Sequence, residues 1–232
     1  MIAQRVRELE PNERVIDLNA PTPEPRGRLA IIACEILKLE LEKLTDGWDD
    51  VVHKEYLEFA LHINADDLRA KVLDKLNALE GQADAVFLGY AVCQSLSGIT
   101  AHLKVPTVML EGDDCIAAVL GPVEYERQKR SYGGTWFNTP GWAILGIDGA
   151  IKELHLDSMV DQGYEPRYFL DILFKNYELC VYVDTEVEGA ERYEEMSRRF
   201  AEELGLRHEN RPCGTANLKR FLDRARQLAR TA

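Results

Sequence analysis

Four short apolar runs limit what this chain can fold into more than any other feature. Leu29–Ala33, Ala85–Gly89, Pro106–Leu110 and Glu178–Asp184 are too short for helices, and their cores carry no charge. Near-continuous runs of this length mark strands buried on both faces, as in a parallel sheet covered by helices. Between them the apolar spacing becomes helical. Ile36–Leu44 is one such segment. A second opens at Asp66 and Asp67 and runs to about Leu79, with Leu68, Val72, Leu73 and Leu76 on one face. A third, Gly189–Leu204, puts Tyr193, Met196, Phe200 and Leu204 on one face and is closed by Gly205. Val51–Phe59 reads as a further strand, and a short one is expected near Arg207. Helices are expected at 149–162, 166–176 and 216–230, the last capped by Thr215, and Asp113 or Asp114 caps a helix running through Val119. This alternation predicts an α/β fold: an open, mostly parallel, Rossmann-like sheet with helices on both faces.

Residues 18–27 break the pattern. Pro21, Pro23 and Pro25 at alternate positions favour an extended arm. The expected organisation is an N-terminal extension over 1–27 and a single α/β domain over 28–232. An arm of this kind packs on its own domain or on a partner chain, which leaves a homodimer open. Residues 131–142 also differ, with Trp136 and Trp142 among glycines and a proline. They read as a short strand or loop that covers something.

Charge and patterning narrow the function. The formal net charge of −12 repels nucleic acid overall. Arg220, Arg224 and Arg230 near the C-terminus read as solvent-facing. No run of apolar residues is long enough to span a membrane, and Met1–Asp17 has no apolar signal region. The cytoplasm is the expected compartment, where the five cysteines stay reduced and serve as core, metal-ligand or catalytic residues. Phosphate-loop, dinucleotide and serine-hydrolase glycine signatures are missing from the sequence.

In parallel sheets ligands bind beyond the carboxyl ends of the strands. Cys34, His62, Cys93, Asp113, Asp114 and Cys115 all fall on that side, as does Cys213, while Cys180 sits inside a strand. A core cysteine has no reason to favour strand ends. Three thiolates with His62 or Asp113 suit tetrahedral zinc, or an iron–sulfur cluster with an open iron position. Alternatively, Cys34 or Cys115 is a nucleophilic thiol at a helix start, or all three merely pack at crowded turns. Asp113 and Asp114 are read as catalytic carboxylates, against the plain reading that acidic residues favour a helix N-terminus. Tyr90, Trp136 and Trp142 are the candidate walls of a cofactor or ligand pocket.

Taken in order, several short segments carry a resemblance. They are Ala33-Cys34-Glu35, Leu61-His62, Leu88-Gly89-Tyr90 with Cys93, Asp114-Cys115-Ile116 leading to Leu120-Gly121, Gly134-Thr135, Pro140-Gly141-Trp142, and Val181–Thr185. The set resembles domain-of-unknown-function family 1638 over roughly 28–215. Members tend to be encoded beside corrinoid-dependent methyltransferases and their corrinoid proteins. The resemblance therefore implies a setting in corrinoid-linked one-carbon metabolism, with a corrinoid protein or methyltransferase as partner. This chain departs from the pattern at Asp113, where the family usually has histidine, and at Ala91–Ser95, where it usually has a glycine-rich turn.

The reading that follows is a metal-binding α/β enzyme or enzyme accessory acting on methyl groups. Cys34, Cys93 and Cys115 would be ligands, and His62 or Asp113 would complete the shell. The alternatives are a non-catalytic module binding a small molecule or corrinoid, and a thiol-dependent transferase.

Overall fold

A computed structural model describes residues 27–232 apart from 60, 62, 63, 92–95, 97, 113, 132 and 133. The N-terminal extension, His62, Cys93 and Asp113 therefore lie outside the described residues.

The first apolar run forms β1 (Leu29–Cys34), every residue of which is buried. A single turn of 3-10 helix (Glu35–Leu37) leads into α1 (Lys38–Leu44). Then come β2 (Val51–Leu57), α2 (Ala65–Ala78), β3 (Ala85–Ala91) and β4 (Thr107–Leu110). These strands make one parallel sheet in the order β2-β1-β3-β4. The central β1 and β3 are apolar throughout because both faces are covered, whereas the edge strand β2 is mostly half-buried and carries charges. The N-cap of α2 is Asn64, whose Oδ1 accepts from the backbone N–H groups of Asp66 and Asp67.

Two helices now follow without an intervening strand, α3 (Cys115–Leu120) and α4 (Pro122–Ser131). A second parallel sheet comes next, in the order β5-β6-β7. Its elements are β5 (Thr135–Asn138), α5 (Pro140–Glu153), α6 (Pro166–Phe174), β6 (Leu179–Asp184), α7 (Ala190–Glu203), β7 (Arg207–Pro212) and α8 (Ala216–Thr231). The α/β architecture with parallel strands is the one expected, divided between sheets of four and three strands. The sheets interlock: α8 leaves β7 of the second and packs on β3 and β4 of the first. Arg226 and Arg230 of α8 reach Asp50 Oδ2 at 2.5 and 3.3 Å, tying the helix to the start of β2. No helix among the described residues is long and apolar enough to cross a membrane.

The segment read as a short strand or covering loop holds a strand and then the start of a helix. Thr135–Asn138 is a strand, and Thr139 caps α5, which places Gly141 and Trp142 in its first turn. Pro140 at the first helical position is compatible with this start, since its missing N–H would have no helical partner anyway. Gly146 (φ 56°, ψ −144°) kinks the helix, a conformation glycine adopts without a Cβ penalty. The helix read at 149–162 is thus the second half of α5 followed by a 3-10 segment, Leu156–Gln162.

Candidate active-site cavity

The carboxyl ends of β1 and β3 and the start of α3 open onto a cavity of about 230 Å3. Cys34, the last residue of β1, and Cys115, the first of α3, both line it. Tyr90 and Ala91 contribute from the end of β3, and Leu68 from α2. Trp142 and Glu153 close it from the two ends of α5. Ile36 and Ile116 complete an apolar lining, and no lysine or arginine lines it among the described residues.

Each position follows from local structure. Parallel pairing with β2 and β3 fixes β1, so that Cys34 projects where the sheet ends. Cys115 is held by the cap of α3. Asp114 Oδ1 accepts from Ala117 N at 2.7 Å, and Asp114 Oδ2 accepts from the Tyr125 hydroxyl. Both carboxylate oxygens are thereby engaged in anchoring the turn, which is the structural role expected at a helix start. Trp142 is brought in by an unusually close approach of α5 to the turn after Cys34, described below. It is only 8% exposed and stands edge-on to Phe59, with ring centroids 5.5 Å apart.

Burial governs the electrostatics. The Cys34 thiol is 2% exposed. Its pKa is pushed far up, first by burial and then by the neighbouring Cys115 thiol. The Tyr90 hydroxyl is likewise pushed up by burial, then by Cys34, Cys115 and Glu35. Glu35 is turned away from this role in part, since its Oε1 accepts from Phe59 N at 2.9 Å. Cys34 is thus protonated at neutral pH in the absence of a cation. This opposes a standing nucleophilic thiolate there, because reactive cysteines need a lowered pKa.

Of the residues singled out in the sequence, the fold brings Cys34, Tyr90, Asp114, Cys115 and Trp142 to this cavity. Trp136 does not line it. Its ring lies behind Trp142 (centroids 5.8 Å apart), stacks on Phe200 at 5.7 Å, and donates from Nε1 to Asn138 Oδ1 at 2.9 Å. Cys180 is fully buried in β6 beside Ser197 and Asn138, in keeping with its position inside a strand. Cys213 lies past β7, with its thiol donating to Val119 O at 3.3 Å. Among the described residues no group of three or more His, Cys, Asp or Glu is arranged to hold a metal ion. Cys93, a further expected ligand outside those residues, follows Ala91 of the cavity wall by two positions.

Glu153 is a cavity residue that the sequence does not single out. No local signal marks it: the helix read at 149–162 places it near a helix start, whereas α5 ends at it.

Neither a curated protein nor a solved structure matches the chain. Residues 56–222 match the family described as protein of unknown function (DUF1638), a span that holds Cys93 and Cys115 and begins after Cys34. The match covers more than half of the sequence, and the chain belongs to that family.

Proposed function

We propose that the cavity is a thiolate-ligated metal centre, zinc or iron–sulfur, at which a small molecule is transformed. The observation that carries this reading is the convergence of Cys34 and Cys115 on one cavity at the carboxyl ends of the strands. The donor chemistry fits. A buried thiol with a second thiol beside it keeps its proton unless a cation is present. A soft divalent ion reverses that preference and takes both as thiolates. Cys93 and His62 are the further ligands in this reading, and Glu153 is a carboxylate lining the same space. A bound metal would supply Lewis-acid or redox chemistry. The protein's own contribution is a dry, shaped site walled by Trp142, Leu68, Ile36 and Ile116.

The setting we infer is corrinoid-linked methyl-group metabolism, as the resemblance implies. At about 230 Å3 the cavity is smaller than sites for drug-sized ligands, which span roughly 300–1,000 Å3. A corrinoid would accordingly be presented by a partner protein rather than enclosed here.

The test is elemental analysis and an optical spectrum of protein purified without air, with Cys34→Ser and Cys115→Ser as variants. A stoichiometric metal reduced in both variants supports the centre, and broad visible absorption makes it iron–sulfur. Full metal retention in both variants would sink it. A second reading, a metal-free small-molecule binding module, is favoured by one observation: apart from the thiols, Tyr90 and two carboxylates, the lining is apolar. Ligand-induced stabilisation of metal-free protein would select it.

A further inference from the structure

The hydroxyl of Tyr90 is an unpaired polar atom in the wall of this cavity. Tyr90 is 4% exposed, lines the cavity, and its Oη is buried without a hydrogen-bond partner among the described residues. The Cys34 thiol stands within hydrogen-bonding reach of it and helps hold its proton, but a thiol is a weak acceptor that leaves the hydroxyl poorly satisfied. Buried hydroxyls are nearly always paired, and leaving one unpaired costs on the order of 1–3 kcal/mol. A buried O–H donor in a cavity wall without an acceptor is the arrangement expected where the acceptor belongs to a ligand.

We propose that the cavity binds a small neutral molecule with one acceptor oxygen and a short apolar body, and that Tyr90 donates to that oxygen and sets the specificity. This deepens the reading of the site as a metal centre, whose substrate it describes.

The neutrality follows from the walls. Ile36, Leu68, Ala91, Ile116 and Trp142 offer an ion nothing in place of water, and a desolvated ion costs several kcal/mol unless it is paired. An anion finds no lysine or arginine in the lining among the described residues. Lys152, which precedes Glu153 in α5, is paired with Glu58 and lies over the Phe59 ring. A cationic ligand finds Asp114 already in use. Both oxygens of Asp114 are occupied by Ala117 and Tyr125, and Glu153 has an interaction partner of its own. Size follows from the enclosed volume, which sets the ligand below drug size. Binding orients the oxygen at Tyr90 and therefore beside the thiols of Cys34 and Cys115.

Four probes of nearly equal size separate the possibilities: 2-butanone, its isostere 2-methyl-1-butene without the oxygen, propionate, and isopropylammonium. Binding to the full chain is read by tryptophan fluorescence and by saturation-transfer NMR, with metal content measured on the same samples. Butanone should bind about tenfold more tightly than the alkene, the worth of one buried hydrogen bond. Tyr90→Phe should erase that difference while leaving the melting temperature unchanged or higher, because it removes an unsatisfied group. Each opposite result overturns the proposal: equal binding of ketone and alkene, a preference that survives Tyr90→Phe, or tighter binding of either ion. Failure of every probe to bind also overturns it, since the hydroxyl would then be satisfied by water alone. A destabilised Tyr90→Phe would overturn it too, by showing that the hydroxyl has a structural partner. The metal content stands apart from all of these outcomes, so the metal centre and the ligand class fail or survive separately.

Discussion

Gly141 in the first turn of α5 lies against the backbone of Ile36, so close that a Cβ built on it would sit 2.2 Å from the Ile36 carbonyl oxygen and 2.7 Å from its Cα. Ile36 belongs to the turn that follows Cys34. The contact therefore seats α5 directly on the strand end that carries the thiol, and the next residue, Trp142, becomes a cavity wall. Gly141→Ala must push the helix away, because the obstructing atoms are backbone. Overpacking of this kind costs about 1–3 kcal/mol. We expect a loss at the upper end of that range by chemical denaturation, and a shift in Trp142 emission as the wall moves. Unchanged stability would mean that α5 does not sit on this turn.

Asp114 separates structure from chemistry. Its carboxylate caps α3 and receives the Tyr125 hydroxyl. Asp114→Ala removes both and should cost about 1–2 kcal/mol. Asp114→Asn keeps a capping oxygen and should cost much less. If Asp114 also takes part in chemistry, the asparagine variant will fold and bind ligand yet lose turnover. Equal stability loss in the two variants would contradict the capping role.

Glu40 gives the protein a built-in pH dependence. It lies on α1 with no exposure, and its Oε1 accepts from Thr185 Oγ1 at 2.9 Å, just past the end of β6. Its Oε2 is buried without a partner among the described residues. Burial raises its pKa from 4.5 to about 7. The folded state then binds more protons than the unfolded state between these values, so stability falls as pH rises from about 4.5 to about 7 and is flat above. The full loss across that interval is about 3 kcal/mol, because each pH unit between the two values is worth about 1.4 kcal/mol. Glu40→Gln should remove this slope, whatever it does to the plateau. Denaturation midpoints at about pH 5, 6, 7 and 8 test it, since they bracket the window in which the folded state holds the extra proton. An unchanged slope in the variant would assign the dependence elsewhere.

A buried polar chain at the second sheet makes a further prediction. Asn138 is 1% exposed. Its side chain accepts from Trp136 Nε1 at 2.9 Å and donates to Ser197 Oγ at 3.2 Å, and His208 Nε2 reaches the same hydroxyl at 3.2 Å. Asn138→Leu would strand the indole N–H, while the serine hydroxyl keeps His208 and Cys180 as partners. A loss of about 1–3 kcal/mol is expected, with Trp136 emission changed and the cavity's ligand affinity preserved, since Trp136 is not in its lining.

The parts of this fold that the sequence discloses are those where one residue type does a single job. The strands β1, β3 and β6 are legible because burial on both faces demands unbroken apolar runs. The strand β7, Arg207–Pro212, has no such run; a short strand is expected near Arg207, and its pairing with β6 fixes its extent. The division into two sheets has a signal in α3 and α4, which follow each other with no strand between. The segment around Gly141 and Trp142 reads as a short strand or loop because glycine and proline usually interrupt helices. Here glycine is required by a close approach that only the folded neighbour, Ile36, reveals. In the site the same division holds. Cys34 and Cys115 are predictable because parallel strands gather their carboxyl ends. Glu153 arrives from the far end of α5, carried there by packing that no local pattern encodes.

The thiols supply the last test, because burial ranks them. Cys34 is pushed far up, Cys180 to about 12 and Cys213 to about 11, each chiefly by burial. Only the thiolate is alkylated. With its pKa near 12 instead of 9.0, Cys180 has a thiolate fraction at pH 8 lower by roughly a thousandfold, and its burial blocks access besides. In metal-free folded protein, Cys34 and Cys180 should therefore resist iodoacetamide for hours. The half-buried Cys213 should react slowly but first of the three. Mass spectrometry of peptides after timed labelling reads the order. Rapid labelling of Cys34 would contradict its enclosed position and would restore the nucleophilic-thiol reading that burial argues against.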